Sequence, residues 1–359
     1  MEFVVGVGLY GCREKPPVPP RPAEILTPLA PVPPRPVQQR PAHIRTPPHV
    51  IDGAAAVAIE AAHLECVRRE AGVLYSPMGT CPPQNLVIDG GNMVAFNSQV
   101  GQAGTGSQLR RSRNNRLVVK SLAQTLTVAG LHDSLCMEKA VHARIGSLNG
   151  MTVAVHTIDA GQVTPACGAL SMVSDNAGGF DLLESIRRWP LPLSTIGQVG
   201  ARAIRILQAV HAFGIIHGDV HLRNWVTQVS HNPAWTLKII DFGRAIPFVD
   251  QNGVHLPQSV SSLGALNPAL LSPWELQGIS PSRRDDMYRL SEMLLLLHHR
   301  GPLMSSNANL SPAQWGQLKN RRQVGAPAVL ANFHDAMRSL NYQDQPNYER
   351  WIAVFQNGR

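Results

Sequence analysis

Long apolar runs are missing from this chain of 359 residues. A membrane-spanning helix needs roughly 18 or more consecutive apolar residues, and none is present, so no span is expected. The apolar stretch Met293–Leu297 reads as part of a buried helix. The opening MEFVVGVGLYGC has no basic start and no long apolar centre, and it does not read as a signal peptide. Cysteine is scarce. Cys12, Cys66, Cys81, Cys136 and Cys167 are odd in number, widely spaced and without a CxxC pair. That speaks against a disulfide framework or a zinc site, and for an intracellular, reducing compartment, cytoplasm or nucleus. Blocks of consecutive Lys and Arg are also absent. The net charge of +8 therefore reads as a solvated basic face rather than a direct nucleic-acid contact.

Proline, by contrast, is concentrated. Thirteen of the 29 prolines precede residue 51, and PVPPRP occurs at 17–22 and again at 31–36. Such a segment cannot pack a core and stays in extended polyproline conformations. Pro16, Pro19 and Arg21 make a PxxPxR pattern, which suits an SH3-type partner with an aromatic groove. A stiff disordered spacer is the alternative. Beyond residue 50 the hydrophobic content, 44% overall, supports a sizeable core. Residues 53–70 are rich in good helix formers, residues 93–100 and two stretches within 151–175 look strand-like, and 180–189 and 195–213 look helical. The expected organisation is a proline-rich disordered arm (1–50), a helical or irregular lead-in (51–92) and a folded domain (93–356). That domain would be α+β, with a small β-rich lobe over about 93–175 and a larger helical lobe over about 180–356.

Four elements carry chemistry. VGQAGTGS (100–107) contains Gly101, Ala103, Gly104 and Gly106; Gly101, Ala103 and Gly106 fit G-x-G-x-x-G with alanine in the middle place. Glycines let backbone amides approach phosphate oxygens. LVVK ends in Lys120, and Glu138 follows 18 residues later on an expected helix as its ion-pair partner. GIIHGDVHLRNWV (214–226) sets Asp219 five residues before Asn224, with Gly218 before the aspartate and His221 two after it. LKIIDFGRA runs an apolar strand into Asp241-Phe242-Gly243. In this order and spacing the four resemble the phosphate loop, strand lysine, catalytic loop and D-F-G element of protein kinases. The resemblance implies a two-lobed protein-kinase-like fold that binds ATP and Mg²⁺. Lys120 would hold the α- and β-phosphates, Asp219 would orient the substrate hydroxyl, and Asn224 and Asp241 would ligate the metal. His221 stands where serine/threonine kinases usually carry a lysine, and an imidazolium can replace that cation in part.

The second half narrows the resemblance. GISPSRRDDMYRLSEMLLLL (278–297) is similar to the S-R-R-D-D helix start of the casein kinase I group, which includes the vaccinia-related kinases. SLNYQDQPNYERWIAVF resembles the closing element of that group. The vaccinia-related branch also writes its catalytic loop H-G-D, so Gly218 is a branch feature. A virus-encoded kinase would suit this pattern. By this resemblance Asp286 would bond the catalytic-loop backbone. Arg283 and Arg284 would belong to a basic patch favouring acidic or already phosphorylated protein substrates, unless they only pair with Asp285. Glu275 in SPWE is similar to the glutamate of A-P-E, but its spacing to Asp286 leaves the register open.

The leading expectation is a serine/threonine protein kinase. A catalytically weak pseudokinase acting as a scaffold is a second reading, motivated by His221, Ala103 and the proline-rich arm. A small-molecule kinase of aminoglycoside-phosphotransferase type is a third, because H-G-D-x-H-x-x-N loops occur there.

Overall fold

The computed structural model describes residues 51–71, 85–103, 107–122, 129–156, 171–228, 236–261, 267–299, 310–319 and 325–357. The proline-rich segment, with the PxxPxR pattern, lies outside these residues. Helix α1 (Gly53–Ala71) comes first, followed by strands β1 (Asn85–Ile88), β2 (Asn92–Ala103), β3 (Ser107–Ser112) and β4 (Leu117–Leu122). Helix α2 (Ala129–Ile145) leads to β5 (Val155–His156) and β6 (Ser171–Asp175). These six strands form one antiparallel sheet in the order β1-β2-β3-β4-β6-β5. Strand alternation divides β4 between two faces. Val119 is buried with Ile88, Phe96 and Val173, while Val118 and Lys120 turn the other way, towards a cleft.

The rest is mostly helical. β7 (Phe180–Asp181) runs into α3 (Leu182–Arg188), so the helix read over 180–189 begins two residues late. Asp181 explains the start: its carboxylate accepts from Glu184 N at 2.7 Å, capping the helix. α4 (Leu193–Ala212) follows, then β8 (Ile215–Ile216), β9 (Trp225–Thr227), β10 (Lys238–Ile239) and β11 (Ile246–Pro247). β7, β9 and β10 form a small sheet, and β8 pairs with β11. α5 (Arg283–His299), α6 (Pro312–Lys319), α7 (Ala328–Arg338) and α8 (Tyr348–Asn357) complete the described chain. In α4 the apolar positions Ile196, Val199, Ala203, Ile206 and Val210 recur at helical spacing and are buried. Gly197 and Gly200 on the same helix let α8 approach, since a Cβ at either would touch Phe355. The main core joins α4, α5, α7 and α8 to Trp225, Ile239 and Phe242. The whole is α+β, helices combined with a curled antiparallel sheet, and this is compatible with a kinase-like fold.

The reading against disulfides is corrected at one pair. Cys66 on α1 and Cys136 on α2 form a disulfide across 70 residues of sequence, with Cα atoms 5.6 Å apart. Sequence spacing carries no sign of it, because the pairing depends on α1 folding back along α2. The case for a reducing compartment loses that support. Cys12, Cys81 and Cys167 lie outside the described residues. Among the described residues no helix is long and apolar enough to cross a membrane.

Candidate active site

The site is a cleft of ≈ 220 Å³ between the outward face of β3, β4 and β6 and the strand ends Val226 and Ile240–Asp241. Lys120 projects into it from β4. Its Nζ donates to Glu138 Oε2 at 2.7 Å and to Asp241 Oδ1 at 3.0 Å. Residues from a strand, a helix and a loop, 121 positions apart at the extremes, thus meet at one ammonium. Burial works against the charge on Lys120, but the two carboxylates outweigh it and hold the amine protonated. Burial pushes the Glu138 carboxyl up to about 7, with the Lys120 charge pulling the other way.

Asp241 sits in the left-handed region at φ 66°, unusual for a residue with a Cβ. Strained backbone of this kind persists where surrounding structure over-determines it, often at functional sites. Here Phe242 is fully buried, packed against His142 of α2 and His217 of the loop. Gly243 lies under α2, where an added Cβ would meet Ser134 Oγ at 2.1 Å.

The loop after β8 is fixed largely by local bonds. Asn224 Nδ2 donates to the Asp219 carbonyl at 2.9 Å and to its Oδ2 at 3.1 Å. His217 Nδ1 accepts from Asp219 N at 3.2 Å, and its Nε2 bonds Ile240 O at 3.1 Å. His221 Nδ1 accepts from Arg223 N, which leaves Nε2 to face Asp219 Oδ2 at 3.4 Å. Burial alone would raise the Asp219 carboxyl. The His221 hydrogen bond and the charges of His221, Arg244 and Arg289 instead hold it well below the ordinary carboxylate range. Beneath the loop, Asp286 at the start of α5 accepts from His217 N (2.7 Å) and Gly218 N (3.0 Å), and it meets His211 Nε2 at 3.0 Å.

Gly218 has a steric cause. Its φ is 73°, and a Cβ there would lie 2.2 Å from the Arg244 carbonyl oxygen. The Arg244 guanidinium donates to Asp219 Oδ1 at 3.2 Å and comes within 3.8 Å of Glu275 Oε1. The reading of the sequence missed Arg244, although it directly follows Asp-Phe-Gly. It also missed the linker Asp175–Gly179, which lines the cleft. The only signal there was a Gly-Gly pair after a strand; both glycines have positive φ. Glu275, left open in register, pairs with Arg289 of α5.

Arg283 and Arg284 do not form an open basic patch. Each is only 5% exposed. Arg283 stacks on Phe248 and donates to Gln343 O at 3.1 Å, while Arg284 stacks on Trp274, 4.0 Å from the ring centre, and reaches Asp285 at 3.5 Å. Gly101 and Ala103 belong to β2, paired with Leu109 and Ser107 of β3. Gly104 and Gly106 lie outside the described residues. Asn224 and Asp241 offer an amide and a carboxylate oxygen near each other's strands. Both Asn224 Nδ2 bonds named above go to Asp219, so the side-chain Oδ1 is the oxygen that could ligate, and such oxygen donors suit Mg²⁺.

No protein-family model matches the chain. Among curated proteins it is similar to a probable casein kinase I homolog of Encephalitozoon cuniculi, 26% identical over 161 residues, covering 42% of this chain and 49% of the relative. It is also similar to a probable serine/threonine-protein kinase of Dictyostelium discoideum, 28% identical over 46% of this chain and 35% of that protein. A third relative is the serine/threonine-protein kinase pkn3 of Myxococcus xanthus, 27% identical over 58% of this chain and 38% of its own length. The chain thus spans about half or less of each of these relatives. With the cleft geometry, these partial matches support the protein kinase superfamily as the group to which this chain is related.

Proposed function

We propose that the chain is an ATP- and Mg²⁺-dependent protein kinase that transfers the γ-phosphoryl group to serine or threonine hydroxyls. One observation carries the reading: Lys120 Nζ contacts both Glu138 and Asp241, 2.7 and 3.0 Å away. Phosphoryl transfer is chiefly positioning plus charge stabilisation, and this arrangement serves both. In the proposed mechanism Lys120, held by Glu138, binds the α- and β-phosphates. Asp241 and Asn224 would hold Mg²⁺, which neutralises phosphate charge when bound. Asp219 accepts a hydrogen bond from the substrate hydroxyl and orients its oxygen for attack. Its lowered pKa suits orientation rather than early proton removal. His221 supplies a donor beside Asp219, and the β2–β3 segment around Gly101–Gly106 covers the phosphates.

The same reading proposes two lobes, with residues 93–175 and 180–356 on either side of the cleft, and a proline-rich arm over 1–50 that offers Pro16–Arg21 to an SH3-type partner. The serine/threonine names of the relatives favour a protein substrate. A second reading, a scaffold with little transfer, is favoured by Arg244 and His221 both contacting the Asp219 carboxylate. Incubation with [γ-³²P]ATP and Mg²⁺, with casein, histone and the chain itself as acceptors, tests the choice. Labelled phosphoserine or phosphothreonine is the expected result. Metal-dependent nucleotide binding without any labelled protein would support the scaffold instead.

A further inference from the structure

Helix α1 lies outside every motif discussed above, yet it packs both on α2 and beside the β8–β11 pair. Its foot is wedged beside the loop. Asp52 N donates to Ala212 O at 2.8 Å, and Ala56 packs with Ile216, Phe248 and Val249. Gly53 has no room for a side chain, since a Cβ would lie 2.4 Å from Asp250 O. Gly214, just before β8, is crowded by Val249 and by Ala56 of α1. From this foothold α1 runs along α2 in the opposite direction. Asp52 meets Arg144 in the last turn of α2 at 3.3 Å, Ile59 packs with Ala140 and Val141, and His63 meets Asp133 at 2.7 Å. The Cys66–Cys136 bond closes the far end, where it packs with Leu135 and with Met172, a cleft residue. Glu138 is two residues beyond Cys136 on the same helix. Among the described residues α1 is the most extensive partner of α2, whose contacts with β5 and β6 are sparser.

We propose that α1 is a brace that sets the position of α2, and so of Glu138 against Lys120, and that the Cys66–Cys136 disulfide is a redox-operated catch on that brace. Opening it is thiol–disulfide exchange. A dithiol reductant gives two electrons and two protons to the sulfur pair, the S–S bond breaks, two thiols form, and the reductant becomes its own disulfide. Cys136 is fully buried and Cys66 nearly so, so exchange requires local lifting of α1. With the catch open, α1 holds α2 by packing and polar ties without a covalent bond, and the Lys120–Glu138 pair populates open positions. The catalytic consequence rests on the phosphotransfer reading; the brace itself does not.

The test uses the full chain, oxidised with glutathione disulfide or reduced with dithiothreitol, beside Cys66→Ala. Three quantities are read: deuterium uptake of residues 129–145, labelling of Lys120 by an amine reagent, and phosphotransfer. Circular dichroism checks that the fold persists. Reduction and Cys66→Ala should each raise uptake in α2 and labelling of Lys120 severalfold. They should lower kcat about tenfold, with activity recovered on reoxidation in the wild type alone. Unchanged uptake in 129–145 on reduction, with two further thiols titrated, overturns the brace. Alkylation of Cys66 and Cys136 in the oxidised protein without reductant overturns the catch. Loosening of α2 on reduction in a protein that never transfers phosphate supports the brace and overturns the phosphotransfer reading.

Discussion

The two walls of the cleft are built by opposite means. On the loop wall, Asp219 and Asn224 bond each other across five residues, and Asp286 accepts from the backbone of both His217 and Gly218. On the sheet wall, Lys120, Glu138 and Asp241 come from three elements and meet only when β4, α2 and the loop after β10 are all in place. The loop wall combines that short-range pair with one buried carboxylate far off in sequence, whereas the sheet wall is a convergence of three side chains on one ammonium.

Removing Asp241, which reaches Lys120 across the cleft, should have the largest effect. Asp241→Ala takes away one partner of Lys120 and the carboxylate proposed for the metal, so transfer should fall at least ~10³-fold and Mg²⁺-dependent nucleotide binding should be lost. Titration with a fluorescent ATP analogue, with and without Mg²⁺, checks this.

Two glycines sharpen the comparison. Gly218 and Gly90 have nearly the same φ, 73° and 74°, but a Cβ at Gly90 meets nothing within 4 Å, whereas at Gly218 it meets the Arg244 carbonyl. Gly90→Ala should cost only the conformational penalty, about 1 kcal/mol. Gly218→Ala should cost more, about 3 kcal/mol or above, with a matching loss of activity. Urea unfolding curves compare them directly. Equal costs would mean that the loop wall yields as easily as an open turn.

Acid sensitivity gives a smaller and more diffuse effect. Burial lowers His211 and His217 at the loop and brings His142 of α2 down to about 4, with the charges of Lys120 and His217 adding to the last. In the unfolded chain these imidazoles protonate near 6.5; in the folded one they resist. Their contribution is therefore fully present above about 6.5 and is lost as the pH falls below it, for His142 down to about 4. For His142 the full difference corresponds to ~3 kcal/mol. The melting temperature should drop steadily between pH 6.5 and 4.5, and His142→Leu should flatten part of that drop.

What was legible in the sequence follows the same division. The Lys120–Glu138 pairing could be read from the spacing of the motifs, while the roles proposed for Asp219, Asn224 and Asp241 come from the resemblance. Asp286 could be read only through the resemblance of its helix start. Arg244 was invisible because its role depends on how the turn after Asp-Phe-Gly aims its side chain at Asp219. Of the two readings left open for Arg283 and Arg284, the structure favours the inward one: Arg284 reaches Asp285, and Phe248 and Trp274 offer faces to stack on. The Cys66–Cys136 bond was missed for the most general reason: helix-to-helix pairing 70 residues apart leaves no local trace.

The central claim is that this cleft transfers phosphate and does not merely hold nucleotide. It is tested most directly by one pair of measurements on Asp219→Asn: Mg·ATP affinity, and the rate of ³²P transfer to casein. The account predicts affinity within about threefold of wild type and transfer reduced by ~10³ or more. Transfer at the wild-type rate in Asp219→Asn would contradict it.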